Sequence, residues 1–398
     1  MKTTHKPKEK FYGLDHLRAL AILLVLIFHY AYFFETPAWW PKFAKFGWTG
    51  VDLFFVLSGF LIASQLFLQV KKGEKISLKR FFIKRFFRIV PIYAVVVAAY
   101  YLFPILRERD TLPELWRYLT FTHNFDLDIS KTNAFSHAWS LSVEEHFYLL
   151  LPLILSALQA KKKFKNSFYI LGILFIAGFL LRDYLWFEQY LPNFDKTQIV
   201  PTWTRYIYFP TYNRLDGLLV GVAIAASYQF SPVLWKKISP YGNYFLGAGT
   251  ATAVFCYFFC SDLATYATTV FGFPLIAIGY GFLVIGAICP SSVLYKWNSK
   301  VSSMIAMLSY GIYLTHKIAI HVAQNYFKNL GVDPKSGGMV LLAAATCMAI
   351  AWGLYIAVEK PFMKLRKHLL EKQSFIWKEK ELQRIQEKQF RGDAIHQK

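Results

Sequence analysis

The sequence predicts an all-α membrane protein, a polytopic bundle of about ten transmembrane helices, and three observations carry that prediction. Apolar blocks of about 18 residues or more recur along the 398 residues, long enough to cross a bilayer. Only 17% of residues are charged while 55% are hydrophobic, a balance that a soluble domain of this length does not keep. The blocks are continuous rather than alternating, which selects helices over a barrel as the way to satisfy the backbone in lipid.

The expected spans run approximately over 14–34, 51–69, 88–106, 143–160, 166–187, 206–228, 242–260, 265–289, 303–325 and 338–358. Lysine and arginine cluster between them, and 31 of the 45 fall in the segments that share a side with the N-terminus. By the positive-inside rule both termini are then cytosolic. The net charge of +21 is therefore read as orientation signals and as sites for anionic lipid or an anionic cofactor, not as a nucleic-acid surface. The first apolar block is not a cleaved signal peptide, since it holds Asp15, His16, Arg18 and His29 and no small-x-small site follows. The four cysteines lie in apolar blocks with no metal-ligand spacing to histidines, so no metal is expected.

Ionisable residues inside spans are costly, so each is a functional candidate. In the first span Arg18 and His29 are eleven residues apart. At 100° per residue both project from nearly one face, roughly 16 Å apart along the axis. Asp52 opens the second span, where the helix dipole favours a carboxylate and where its depth lets it orient the His29 imidazole. Ser58-Gly59 reads as a place where two helices approach closely. Arg85 and Arg88 share a face if their stretch is helical, and two guanidiniums on one face suit a phosphate. Glu144 and Glu145, among hydroxyls and histidine, run straight into the fourth block; Ser142 with Glu145 also fits a capping box. Arg214 and Asp216, read as mid-span, do not face each other, so each needs its own partner. His316, also read as mid-span, is an acceptor-site or polar-network candidate.

These stretches resemble the acyltransferase-3 family of integral membrane O-acyltransferases. The likeness rests on R-x10-H from Arg18 to His29, G-V-D-L-F-F-V-L-S-G-F-L-I at 50–62, R-F-F-R-I-V-P-I-Y at 85–93 and W-S-L-S-V-E-E-H-F-Y at 139–148. N-R-L-D-G-L-L-V-G at 213–221, Y-G-I-Y-L-T-H at 310–316 and E-K-P-F at 359–362 continue it in order. The resemblance implies a catalytic His29, donor-binding Arg18, Arg85 and Arg88, and Glu144 as an acidic partner. It implies an acyl-CoA donor, most often acetyl-CoA, as a substrate rather than a permanently bound cofactor. The usual glutamine of W-S-L-S-V-E-E-Q-F-Y is His146 here, which leaves both glutamates in place.

The expected organisation is a cytosolic segment 1–13, a membrane acyltransferase domain 14–365 and a basic cytosolic tail 366–398. Apolar residues recurring in that tail fit an amphipathic helix on the inner leaflet, with a loosely ordered, solvated tail as the alternative. The expected function is transfer of an acyl group from acyl-CoA to a hydroxyl of a cell-envelope glycan or small molecule. In this reading His29 is base or acyl carrier, with Glu144 or Asp52 beside it, and Glu145, Arg214, Asp216 and His316 face the substrate. The expected setting is the bacterial inner membrane, with membrane lipid as the other partner and no nucleic acid. The competing expectation is a transporter or flippase for an anionic lipid or glycan, its pathway lined by Arg18, Asp216 and His316.

Overall fold

The structure, a computed structural model, describes residues 11–161 and 167–371. Among these residues ten helices reach fifteen residues or more. They are α1 (Tyr12–Phe33), α2 (Gly50–Lys71), α3 (Leu78–Leu102), α4 (Trp139–Ala160), α5 (Ser167–Leu185), α6 (Asp216–Phe230), α7 (Gly242–Phe259), α8 (Phe273–Ile288), α9 (Lys300–Asn329) and α10 (Gly337–Leu354). No strand occurs among the described residues.

Six stretches, built on α1, α2, α4, α5, α8 and α10, are long and apolar enough to cross a membrane. The bent pair of α6 with the chain from Pro232 to Phe259 makes up to seven, its halves meeting at 105°. The other two, α3 and α9, are not among these stretches; one carries Arg85 and Arg88, the other His316 and Lys317. Arg85 and Arg88 line an internal cavity, and His316 and Lys317 are fully buried.

Side-chain caps fix several helix starts. Ser77 accepts from the Arg80 amide, Ser299 from Ser302 and Ser336 from Met339. The first of these starts α3 ten residues before the expected span, which makes the Arg85–Arg88 stretch helical. The expected capping box at Ser142 does not form. Helix α4 has already begun at Trp139, and the Ser142 hydroxyl instead meets His123 Nδ1 at 3.2 Å. The expected span 206–228 is also interrupted. A π-helical turn at Thr204–Tyr208 is followed by Pro210, whose fixed φ and missing N–H stop the run, and α6 starts only at Asp216. Arg214 therefore lies in a break and Asp216 in a first helical turn, not in mid-span.

Helix α6 lies along α2, and α9 packs between α1 and α10. At the α2–α6 crossing a Cβ on Gly59 would collide with the Leu218 carbonyl, and one on Gly221 with that of Val56. Only glycine lets the two backbones come this close. Most of the expected tail helix, 372–398, lies outside the described residues.

Candidate functional site

Two groups of polar side chains sit inside the bundle, with Tyr313 between them. The first lines a cavity with about 120 Å³ of free space. Arg18 enters it from α1, Ser58 from α2, Arg85 and Arg88 from one face of α3, and Glu144, Glu145 and Tyr148 from α4. Tyr310 and Tyr313 close it from α9. Glu144 is held at both oxygens, accepting from Ser58 Oγ at 3.0 Å and from the Tyr148 hydroxyl at 2.6 Å. Arg88 donates to Glu359 at 2.9 Å. The π-helical turn Tyr355–Glu359 after α10 presents that carboxylate, which is buried. Arg85 lies over the rings of Phe81 and Tyr148. Among the described residues Arg18 and Arg85 have no hydrogen bond or ion pair to the protein. The cavity thus gathers three guanidiniums against two carboxylates, with two of the guanidiniums uncommitted.

The second group lies beyond Tyr313. The His29 ring sits 4.8 Å from that of His316 and 5.9 Å from that of His137, and His137 and His316 are 4.7 Å apart. His29 Nδ1 is 2.9 Å from the Val25 carbonyl. A carbonyl only accepts, so Nδ1 carries the proton and Nε2 keeps its lone pair. Beside the histidines the buried Lys317 ammonium is 3.4 Å from Glu108, 3.3 Å from Ser136 Oγ, and over the Phe33 ring. Tyr313 joins the two groups. Its hydroxyl donates to the His137 carbonyl at 2.7 Å and meets Ser140 Oγ at 2.5 Å, and both Tyr313 and Ser140 also line the cavity.

The structure therefore brings Arg18, Arg85, Arg88, Glu144 and Glu145 together around one cavity, and sets His29 with His316 at its far side. His29 itself does not line that cavity. Asp52 is not beside His29 as expected. Its Oδ1 accepts from Arg214 Nη2 at 2.7 Å, and both side chains are buried. The close α2–α6 crossing swings Arg214, just ahead of α6, over the start of α2, where Phe273 and Tyr208 cover its guanidinium. Asp216 has its own partner in Arg182 of α5, held by two bonds of 2.7 and 3.2 Å. Neither Arg214 nor Asp216 reaches the cavity. His146 also turns away from it, bonding Thr211 Oγ1 at 2.7 Å and stacking on Phe125.

The sequence reading gives no role to His137, Tyr313, Ser140, Arg182 or Lys317. A signal for two of them was present: His137 stands two residues ahead of the W-S-L-S-V-E-E stretch, and Tyr313 one turn ahead of His316. His123, in the loop ahead of α4, is a different case. Burial, opposed by the Ala138 backbone carbonyl as an acceptor, holds its pKa down at about 3, and it packs flat on Tyr118 as a neutral anchor.

Comparison with known proteins adds three findings. A family model described as an acyltransferase domain matches residues 11–358. The chain is 29% identical over 407 aligned positions to a peptidoglycan O-acetyltransferase, OatA, of Listeria monocytogenes, covering 96% of this chain and 61% of that protein. It is 28% identical over 331 positions to the O-acetyltransferase OatA of Staphylococcus aureus, covering 79% of this chain and 51% of the relative. The chain thus spans between half and about three-fifths of the length of these relatives. No solved structure matches it.

Proposed function

The chain belongs to the family defined by that acyltransferase domain, and from this premise we propose that it transfers an acyl group, acetyl by analogy with its relatives, from acyl-CoA to a hydroxyl of a cell-envelope glycan. The carrying observation is the arginine cavity, in which Arg18 and Arg85 make no hydrogen bond or ion pair among the described residues and Arg88 is steadied by Glu359. Guanidiniums grip phosphate oxygens in pairs, and a CoA thioester carries phosphates at one end and the reactive carbonyl at the other. With the phosphates at Arg18, Arg85 and Arg88, the thioester end extends past Tyr313 and Ser140 toward His29.

At His29 the free Nε2 does the chemistry. As a base it takes the hydroxyl proton while the hydroxyl oxygen bonds the acyl carbon; the carbon–sulfur bond breaks, and the proton ends on the departing thiolate. As a nucleophile it first carries the acyl group itself, then hands it to the hydroxyl. Either route yields an ester and a free thiol. Glu144, fixed by Ser58 and Tyr148, keeps the charge of the arginine cluster in balance and holds its geometry. Peptidoglycan is the acceptor that the Listeria relative's name suggests, and both termini belong on the cytosolic side of a bacterial inner membrane. The transporter reading loses one of its three pathway residues, because Asp216 is spent on Arg182 rather than lining a route.

The test is thiol release from acetyl-CoA by the purified protein in detergent or nanodiscs. Release that rises with a hydroxyl acceptor and is lost in Arg18→Ala and Arg85→Ala is expected. A protein that binds but never consumes thioester overturns the proposal.

A further inference from the structure

The three histidines share a feature that base catalysis by His29 alone does not use. Each spends one ring nitrogen on a backbone carbonyl: His29 Nδ1 on Val25 at 2.9 Å, His137 Nε2 on Leu314 at 3.3 Å, His316 Nδ1 on Tyr313 at 2.8 Å. Since a carbonyl offers no proton, each of those nitrogens is the N–H of its ring, and each remaining nitrogen is a bare acceptor. For His137 Nδ1 and His316 Nε2 that acceptor is completely buried with no partner among the described residues. The two side chains are 2% and 0% exposed. Two deeply buried lone pairs beside the reacting imidazole, each unmet among the described residues, can each accept one hydrogen bond from a donor.

The chemistry of that donor can be narrowed. Among the described residues no three histidine, cysteine or carboxylate side chains are placed to share a metal ion. An ammonium is disfavoured by the Lys317 cation beside the cluster, which is itself occupied with Glu108 and Ser136. A neutral hydroxyl fits. A single hydroxyl has one proton, which the reaction gives to His29, so the other acceptors call for neighbouring hydroxyls on the same molecule.

We propose that His137 and His316 form the acceptor subsite and bind hydroxyls adjacent to the one being acylated, so that the site takes a polyol such as a sugar with neighbouring hydroxyls rather than a simple alcohol. This rests on the acyl-transfer reading of His29. His137 Nδ1 and His316 Nε2 each receive one O–H, and the reacting hydroxyl is left facing His29 Nε2. Sites built to pair a substrate hydroxyl discriminate against analogues that lack it, because their own polar groups are then stranded.

The experiment compares glycerol with 1-propanol as acceptors, using acetyl-CoA as donor and following both ester formation and thiol release. The wild-type protein should favour glycerol in kcat/KM by at least about tenfold. His137→Phe and His316→Phe, which keep a ring but not the acceptor, should lose that preference with the KM for acetyl-CoA unchanged. His137→Asn and His316→Gln, which restore an accepting oxygen near the lost nitrogen, should recover it. If the phenylalanine variants do not fold, the Asn and Gln variants decide alone, since they must keep the preference. Equal use of both alcohols by the wild type, or a preference that survives both Phe variants, overturns the subsite. A wild type that releases no thiol under any condition fails earlier, at the acyl-transfer reading, and is told apart by that absence.

Discussion

Arg88 and Glu359 stand 271 positions apart in the sequence and meet at 2.9 Å, with the glutamate buried and the arginine still reaching the cavity. One prong of the guanidinium is thus anchored and the rest is free for a ligand.

Arg88→Lys keeps the charge but not the planar fork. Losing one charged hydrogen bond should weaken acetyl-CoA binding by roughly 1.5–3 kcal/mol. Glu359→Gln should weaken it as well, by releasing the anchor. Calorimetric titration of the purified protein with acetyl-CoA measures both; unchanged affinity in Arg88→Lys would return this arginine to simple lipid anchoring.

His29→Ala should abolish transfer and leave donor binding intact, because alanine is well tolerated in a helix and the arginines remain. His29→Gln is the sharper test. It keeps a hydrogen-bonding side chain of similar bulk that cannot act as a base at neutral pH. Both variants are expected to be inactive in the thiol-release assay. Substantial activity in the Gln variant moves the chemistry elsewhere, with Glu144 the next residue to examine.

For the Asp52–Arg214 pair a structural role is expected. Removing either partner strands a buried charge and should cost about 3–5 kcal/mol. Asp52→Leu combined with Arg214→Met should recover most of the loss and keep thiol release. Thermal unfolding in detergent gives the first quantity. A folded double variant with no activity would put Asp52 back in the chemistry.

Reporter fusions placed after Lys163 and after Lys196 flank α5 and should report opposite sides of the membrane. The same side for both contradicts the expected topology.

Much of the bundle is legible in the sequence because lipid leaves few choices: long apolar runs must be helices, and the helical Arg85–Arg88 spacing settles which face they share. The interruption at Pro210 escapes the sequence because the polar residues just after it, Asn213, Arg214 and Asp216, read as functional groups inside one span rather than as a break. The pairings were not legible at all. Asp52 finds Arg214 at a separation of 162, and Asp216 finds Arg182, a residue with no local pattern to mark it. Periodicity says which residues share a helix face; it does not say which helix that face will meet. His137 escaped for a related reason. It lies in a short turn ahead of α4, and only the tertiary fold sets it against His29 and His316.

The ion pair between Asp52 of α2 and Arg214, just ahead of α6, also constrains how the protein is made. Helix α2 leaves the ribosome long before Arg214 has been synthesised, so its Asp52 has no cation to meet when it first reaches the bilayer. A lone carboxylate is poorly tolerated in hydrocarbon. Until α6 arrives to close against Gly59, the Asp52 carboxylate must be met by water or neutralised by a proton. Assembly of this bundle is in that respect a matter of order, with an early helix carrying a charge whose partner is made later.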